Sequence, residues 1–277
     1  PAPAPSTAPP SPAAAPTAPP PTPLHRCATG HALPPVPHRS SSNPICDERS
    51  DTPCGRSLIA GVVGDDVTAL AGVFAALFVV AAGANWWSRF VSSRAVELWS
   101  KPLALVALIG VALTIDPADD AVRAWFVAGL VMSLAGDVFL LGDERWFVAG
   151  LASFLVAHIA YTAGFIADPV WWWPSALVAA GVMVALGATI GRRIVSGAAS
   201  ESTILGPAVI AYLGAISTML IAAAATRNPW AVVGAALFVL SDSILGWRQF
   251  VSDAPWMAPS VMVTYHLGQA GLVVSLL

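Results

Sequence analysis

Eight long apolar runs fill the chain from residue 66 to its last residue. A membrane-spanning helix needs roughly 17–25 predominantly apolar residues, and backbone polar groups inside a bilayer must be satisfied within helices or a closed barrel. Strands of a membrane barrel alternate apolar and polar residues, and these runs do not alternate. The pattern therefore predicts an all-α polytopic membrane bundle of eight transmembrane helices, at 66–84, 102–115, 122–141, 147–167, 172–190, 203–225, 230–250 and 259–277.

The second of these runs covers only 14 residues, which is too short to span. Extending it back toward Glu97 gives a full span and places Lys101, the only lysine of the chain, in its first turns. All 11 tryptophans lie at or next to a segment boundary. This is the aromatic belt of a membrane protein, because the indole ring prefers the headgroup level, and it supports the boundaries without indicating chemistry.

Composition agrees with a membrane protein. The chain is 56% hydrophobic and 10% charged, with a mean hydropathy of +0.71, whereas soluble domains carry about 25% charged residues. The net charge of −3 and the lack of a basic patch give no support to a nucleic-acid partner. The expected partners are the lipid bilayer and a substrate that it carries.

Lysines and arginines favour cytoplasmic loops. The connections after the first, third, fifth and seventh segments carry seven of these residues, and the other side carries four. We therefore expect the first side to face the cytoplasm, both chain ends to lie outside, and a bacterial protein of this kind to lie in the plasma membrane. The seven are Arg89, Arg94, Lys101, Arg145, Arg192, Arg193 and Arg248; the four are Arg49, Arg56, Arg123 and Arg227.

Residues 1–55 differ from the rest of the chain. They hold 16 of the 24 prolines and no Phe, Trp or Tyr, so we predict a disordered Pro/Ala/Ser-rich tail before a membrane domain at 56–277. The tail has no apolar run, so it does not resemble a signal peptide. It contains all three cysteines and three of the five histidines, but their spacing fits no common zinc site: Cys27, Cys46, Cys54, His25, His31 and His38.

Two aspartates lie inside the apolar segments and are the leading candidates for chemistry. Asp137 ends the pattern Gly129-x7-Asp137, and Asp242 ends the matching pattern Gly234-x7-Asp242. A charged side chain at the centre of a bilayer costs about 2.5–3.5 kcal/mol or more, so such residues usually face the bundle interior and mark a site. Because the two patterns fall in the third and seventh segments, they also suggest a parallel repeat of four helices plus four.

Other polar residues in the segments fall mainly in the half of the membrane nearer the arginines. At about 1.5 Å per helical residue, Asp137 lies about 6 Å below that surface and Asp242 about 12–14 Å. His158 and Tyr161 share one face of the fourth segment, and Tyr265 and Gln269 share one face of the eighth. We therefore expect one polar cavity open toward the arginine-rich side, formed by six helices: Lys101, Asp137, His158, Tyr161, Tyr212, Asp242, Tyr265 and Gln269.

The order and spacing of these residues resemble the YhhN/lysoplasmalogenase family of membrane proteins. The resemblance covers roughly residues 66–277 and implies eight helices. The family often has a second aromatic residue where this chain has His266. The resemblance rests on Lys101-Pro102-Leu103, Gly136-Asp137, Phe147-x2-Gly150-Leu151-x2-Phe154-x3-His158-x2-Tyr161, Gly234-Ala235-x2-Phe238-x2-Ser241-Asp242-Ser243 and Tyr265-x3-Gln269.

The resemblance implies hydrolysis of the vinyl ether bond of a lysoplasmalogen, which releases a fatty aldehyde and glycerophosphocholine or glycerophosphoethanolamine. This reaction begins with proton transfer to carbon and needs a protonated carboxylic acid. A low dielectric and a second carboxylate both favour that form of a carboxyl group. Asp137 and Asp242 are the expected acid/base pair, with Asp242 the better candidate for donor, and no metal or other cofactor is implied.

The remaining site residues receive expected roles by the same reasoning. His158 and Tyr161 would orient water or a carboxyl group, and Lys101 would bind the substrate phosphate as a point charge. The other candidates for substrate binding would complete a hydrogen-bonding wall: Tyr212, Ser241, Tyr265 and Gln269.

Two further functions fit the same residues. A transporter or proton-coupled permease also uses intramembrane Asp, His and Tyr, and a polar path reaching the opposite face would favour it. A zinc-dependent lipid hydrolase would use the two intramembrane histidines with both aspartates, and loss of activity with a chelator would favour that reading. Its ligands would be His158, His266, Asp137 and Asp242.

Overall fold

The computed structural model describes residues 56–168 and 171–277, with side chains from Thr68 onward. All regular structure in these ranges is helical, as the apolar runs predict. The helices are α1 (Arg56–Phe90), α2 (Arg94–Thr114), α3 (Asp120–Leu140), α4 (Phe147–Ala167), α5 (Trp173–Leu186), α6 (Arg192–Glu201), α7 (Leu205–Ala225), α8 (Pro229–Phe250) and α9 (Met257–Val274). The prediction of a disordered tail at 1–55 falls outside the described residues.

Seven helices within the described residues are long and apolar enough to cross a membrane, so the chain is a multi-pass integral membrane protein. A short 3₁₀ turn extends α4 to Glu144, and a π-helical turn at Gly187–Gly191 joins α5 and α6 into one helix. Helix α9 has 18 residues and is not among the seven. The spans are Thr68–Phe90, Arg94–Thr114, Asp120–Leu140, Glu144–Ala167, Trp173–Glu201, Leu205–Ala225 and Pro229–Phe250.

Local sequence explains several helix ends. The side chain of Asp119 accepts hydrogen bonds from the backbone N–H groups of Ala121 and Val122, at 2.7 and 3.0 Å, and so caps α3. Asn228 caps α8 in the same way. Helix α2 begins at Arg94, so the extension of the second segment beyond Glu97 is confirmed.

The helices pack mainly as the neighbouring pairs α1–α2, α3–α4 and α8–α9, while α7 packs against α4, α5, α6 and α8. Helix α9 also contacts α1, α2 and α3 and so lies inside the bundle. The core consists of large side chains with almost no exposed surface, among them Leu105, Phe126, Met219, Phe238 and Leu272.

The glycines of the two matching patterns allow close helix contacts. A Cβ atom at Gly129 would lie 2.5 Å from the ring of Tyr161, so α3 approaches α4 closely enough to bring Tyr161 into the core. A Cβ atom at Gly234 would lie 2.7 Å from the backbone nitrogen of Leu272 in α9. Because glycine has no side chain, Gly129 and Gly234 let the neighbouring helices approach closely, as small residues do in other membrane bundles.

The helix connections form two groups, one at each end of the bundle. We call the end with the turns at 91–93, 141–146, 202–204 and 251–256 the arginine end. The opposite end, here the far end, has the connections from α2 to α3, from α4 to α5 and from α7 to α8. Hydrogen bonds hold the far end together: Ala118 N–H donates to Leu276, and the Asn228 amide donates to the carbonyl of Ser275, both at 2.9 Å.

Candidate active site

Asp137 lies near the arginine end of α3 and is 1% exposed. Its Oδ1 lies 3.1 Å from Nζ of Lys101 in α2, and its Oδ2 accepts a hydrogen bond of 2.9 Å from the hydroxyl of Tyr265 in α9. Lys101 is itself 5% exposed. Three helices, α2, α3 and α9, thus meet at a buried ion pair.

Asp242 in α8 has different partners. Its Oδ2 accepts a 2.5 Å hydrogen bond from the hydroxyl of Tyr212 in α7, and Nε2 of His158 in α4 lies 3.6 Å from the same oxygen. The Asp242 side chain is 12% exposed, whereas His158 is fully buried. Asp242 therefore contacts a phenol and an imidazole, whereas Asp137 contacts an ammonium group. Asp242 also retains some accessible surface, in contrast to Asp137.

Aromatic rings pack against the partners of both aspartates. The ring of Phe238 lies 5.5 Å from that of Tyr265 and 4.8 Å from that of His158, measured between centroids. Tyr265 hydrogen-bonds Asp137 and His158 faces Asp242, so Phe238 packs against one partner of each aspartate. Phe154 packs edge-on against both Phe238 and Tyr265. The two acids share one aromatic cluster but have separate hydrogen-bond partners.

The deepest part of the polar cluster is the pair Tyr161 and Gln269. The Tyr161 hydroxyl donates a 2.7 Å hydrogen bond to Oε1 of Gln269, and both side chains are fully buried. Toward the far end, the Tyr161 ring packs on Phe126, and Phe126 packs on Phe165, with centroid distances of 5.4 and 5.1 Å. Apolar packing therefore follows the polar cluster on that side.

Ser241 adjoins Asp242 but turns to another partner. Its hydroxyl donates a 3.1 Å hydrogen bond to the carbonyl of Val261 and is 1% exposed. This contact joins α8 to the first turns of α9. The structure therefore places Ser241 as a link between helices beside the site, while its expected role in substrate binding stays a prediction.

The structure also reveals polar residues that the sequence analysis assigned to the aromatic belt or left out. The indole N–H of Trp86 donates a 3.0 Å hydrogen bond to Nδ1 of His266, and Asn85 bonds Ser100 at 3.2 Å. Because an indole nitrogen can only donate, Nδ1 of His266 must be the acceptor and its Nε2 carries the proton. Asn85 could have been recognised from the sequence, because it is a polar residue one position beyond the first predicted segment.

Two narrow crevices reach Asp242. The lateral crevice holds about 50 Å³ and has an apolar lining that includes Phe147, Leu151, Phe154, Tyr212, Leu213 and Leu245. A second crevice of about 40 Å³ lies on the other side of Asp242, against the π-helical turn, and is lined by Gly187, Ile190, Val239 and Ser243 among others. Asp242 thus lines both crevices, whereas Asp137 lines neither of them.

The histidines have separate surroundings. His158 lies beside Asp242, and His266 bonds Trp86. Throughout residues 56–168 and 171–277, no group of three or more His, Cys, Asp or Glu residues is arranged to hold a metal ion. The donor set expected for zinc is therefore not assembled in that part of the chain.

The described part of the chain is thus a polytopic membrane bundle with seven candidate spans. Inside this bundle, Asp137 and Asp242 each accept a hydrogen bond from a tyrosine. The sequence model of the YhhN family matches residues 96–276, which include all of these side chains. The chain belongs to the YhhN family.

Several similar proteins carry the name lysoplasmalogenase. The protein from Mycobacterium bovis is 30% identical over 148 residues, which cover 52% of this chain and 56% of the relative. Human lysoplasmalogenase TMEM86A is 31% identical over 151 residues, or 51% of this chain and 60% of the relative. Human lysoplasmalogenase TMEM86B is 27% identical over 207 residues, or 70% and 87%. The chain thus spans less than two thirds of the first two relatives, and no solved structure matches it.

Proposed function

We propose that this chain is a membrane lysoplasmalogenase, which hydrolyses the vinyl ether bond of a lysoplasmalogen to a fatty aldehyde and glycerophosphocholine or glycerophosphoethanolamine. The observation that carries the proposal is Asp242, a partly accessible carboxyl group on the wall of an apolar crevice, with Tyr212 bonded to one of its oxygens. The names of the relatives support the same reaction.

In the proposed reaction, the Asp242 carboxyl group donates its proton to the alkene carbon that does not bear oxygen. The other alkene carbon and its ether oxygen then share the positive charge of an oxocarbenium ion. Water adds to that carbon and loses a proton to the Asp242 carboxylate, which gives a hemiacetal. The hemiacetal releases the aldehyde and leaves the glycerol hydroxyl, so one water is consumed and the acid is regenerated. General acid catalysis of this type contributes about 10²–10⁴-fold.

The neighbouring residues have supporting roles. His158 lies 3.6 Å from Asp242 and would orient the attacking water. Asp137, paired with Lys101, is the second carboxylate of the site and would stabilise the cation across the aromatic cluster. Tyr161, Tyr212, Ser241, Tyr265 and Gln269 would form the hydrogen-bonding wall, with Tyr212 in direct contact with the acid.

We also propose that α9 is an eighth span and that the bundle is a parallel repeat of four helices plus four. The close contact of α9 with Gly234 and its position between α1, α2 and α3 support the first point. Asp137 and Asp242 lie near the arginine end of α3 and α8, which run in the same direction, and this supports the second. The arginine end would face the cytoplasm and the active site would open toward it.

The apolar packing of Phe126 and Phe165 beyond Tyr161 favours an enzyme over a transporter, because a transported ion or solute would have to pass it.

The test uses purified protein in detergent with a lysoplasmalogen, and aldehyde release is measured with and without EDTA. Aldehyde from the wild type and none from Asp242→Asn is the expected result. A folded, monodisperse wild type that releases no aldehyde would contradict the proposal.

A further inference from the structure

A polar vestibule opens at the arginine end of the bundle. It holds about 280 Å³, and its charged lining residues come from three helix ends: Arg89, Arg94, Glu97, Lys101 and Arg248. The lining has four cations and one carboxylate, but Lys101 and Arg248 are also paired with Asp137 and Asp253, so one positive charge is in excess. Basic residues lining a concave surface focus the field and attract anions.

The arginines of the vestibule are only partly neutralised. Arg89 and Arg94 share the single carboxylate of Glu97, at 2.7 and 3.5 Å, and their side chains are 23% and 54% exposed. Glu97 cannot neutralise both guanidinium groups at once. At least one positive charge therefore remains available at the rim.

Arg248 uses only its Nε to bond Asp253, at 2.9 Å, and its side chain is 35% exposed. This hydrogen bond is the main reason that the pKa of the exposed Asp253 carboxyl lies below its usual value. The terminal nitrogens of the guanidinium group remain free of this contact. Arg248 can therefore hold Asp253 and still bind an anion from within the vestibule.

Lys101 forms the floor of the vestibule, but its ammonium group is paired with Asp137 and almost completely buried. An anion bound above it would contact the arginines first. Guanidinium groups also suit phosphate better than an ammonium group does, because they can offer two parallel N–H donors to two phosphate oxygens.

The vestibule adjoins the lateral crevice. Four residues line both spaces, and these are Leu140, Phe147, Leu245 and Gln249. The same residues thus border a basic space open at the bundle end and an apolar space that reaches Asp242. This arrangement matches an amphiphile whose phosphate and apolar chain are joined through a short glycerol unit.

We propose that the vestibule is the phosphate site for the substrate, with Arg89, Arg94 and Arg248 as its ligands, and that it places the vinyl ether bond of a bound lysophospholipid beside Asp242. This inference rests on the proposed function for the identity of the reacting bond. The phosphate site itself depends only on the vestibule. Specificity for a phosphate-bearing lipid would then be determined at the arginine end and the chemistry deeper in the bundle.

A binding experiment tests the site without requiring turnover. The probe is a 1-O-alkyl lysophosphocholine, whose saturated ether cannot be hydrolysed by this reaction, compared with a 1-O-alkylglycerol of the same chain length. We expect the wild type to bind the phospholipid at least 10-fold more tightly. Arg248→Gln and Arg94→Gln should each reduce this preference by about 3- to 10-fold, while binding of the alkylglycerol stays unchanged.

Arg192→Gln is the matched control, because it removes an exposed arginine that lines a different surface pocket. It should leave the preference as in the wild type. A phosphate preference that survives in Arg248→Gln and in the Arg94→Gln/Arg248→Gln double variant would overturn the proposal. Displacement of the lipid by inorganic phosphate at comparable concentration would also overturn it, since the site would then take free phosphate rather than a lipid headgroup.

Activity measurements separate this inference from the proposed function. With 1-alkenyl substrates, the same variants should raise KM for the lysoplasmalogen and leave kcat nearly unchanged, because the arginines do not contact the reacting atoms. Absence of aldehyde in every protein, with the binding preference intact, would reject the hydrolase and retain the phosphate site. Aldehyde release that is equal in wild type and both arginine variants at low substrate concentration would retain the hydrolase and reject the site.

Discussion

Nζ of Lys101 lies 3.1 Å from Oδ1 of Asp137, and the two side chains are 5% and 1% exposed. The pair joins α2 to α3, and Tyr265 joins α9 to the same carboxylate. Two opposite charges in contact cost much less inside a bilayer than either charge alone. The pair therefore explains how Lys101 and Asp137 can both be buried, and it distinguishes Asp137 from Asp242.

Removing one member of this pair should destabilise the protein strongly. We expect Lys101→Met to lower the free energy of unfolding by about 3–5 kcal/mol, because it leaves Asp137 buried without its counter-charge. The Lys101→Met/Asp137→Asn double variant should recover most of this loss. Unfolding in detergent measures both effects, and a double variant that is less stable than either single one would contradict the ion-pair interpretation.

Asp242→Asn should preserve the fold and abolish aldehyde release, with a loss of at least about 10²-fold in kcat. The amide is close in shape to the acid and keeps an oxygen for Tyr212, but it cannot donate a carboxyl proton. Asp143→Asn is the control, since Asp143 is an exposed acid at the same end with 75% of its side chain accessible. Full activity in Asp242→Asn would contradict the assignment of the proton donor.

Tyr212→Phe tests the hydrogen bond to Asp242 separately from the acid itself. The variant removes the 2.5 Å contact and leaves the carboxyl group in place. We expect a reduced kcat and a shifted pH–rate profile, because a donor to the carboxylate changes how readily the acid releases its proton. Tyr161→Phe serves as the comparison: it removes the bond to Gln269 and should lower stability by about 1–3 kcal/mol, but it should not shift the pH–rate profile, because the Tyr161 hydroxyl bonds Gln269 and not Asp242.

The glycine contacts predict a difference between alanine substitutions. Gly129→Ala and Gly234→Ala should each destabilise the bundle by about 1–3 kcal/mol, because the added Cβ would lie within 2.5 and 2.7 Å of other atoms. A Cβ atom added at Gly214 would have no neighbouring atom within 4 Å, so Gly214→Ala should be neutral or slightly stabilising. Equal thermal stability of all three variants would show that the close approach is not required.

A chelator separates the proposed reaction from zinc-dependent hydrolysis. We expect EDTA to leave aldehyde release unchanged, because the proton donor and the charge-stabilising groups of the proposed mechanism are side chains of the chain itself. Metal analysis of the active protein is the accompanying measurement. Loss of activity with EDTA and its recovery with zinc would favour the alternative that uses His158 and His266.

The sequence by itself determined the class of protein and most of the candidate residues. Apolar runs of this length can satisfy their backbone groups only as helices in a bilayer, so α1–α5 and α7–α9 follow from local pattern alone, whereas α6 lies in the predicted connection after the fifth segment. The family was also recognisable, because the order and spacing of Asp137, His158, Tyr161 and Asp242 are properties of the sequence, and the family match includes all four. The cost of polar groups at membrane depth identified the same residues as candidates for a site.

Only the tertiary structure decided which residues touch. Periodicity gives the face of each helix but not its rotation or neighbour, so it could not pair Lys101 with Asp137, Tyr212 with Asp242, or Trp86 with His266. Nor could it place Phe238 against both His158 and Tyr265, because that depends on how α4, α8 and α9 pack. Contacts between helices distant in sequence depend on shape and close approach at particular positions, and these exist only once the bundle is assembled.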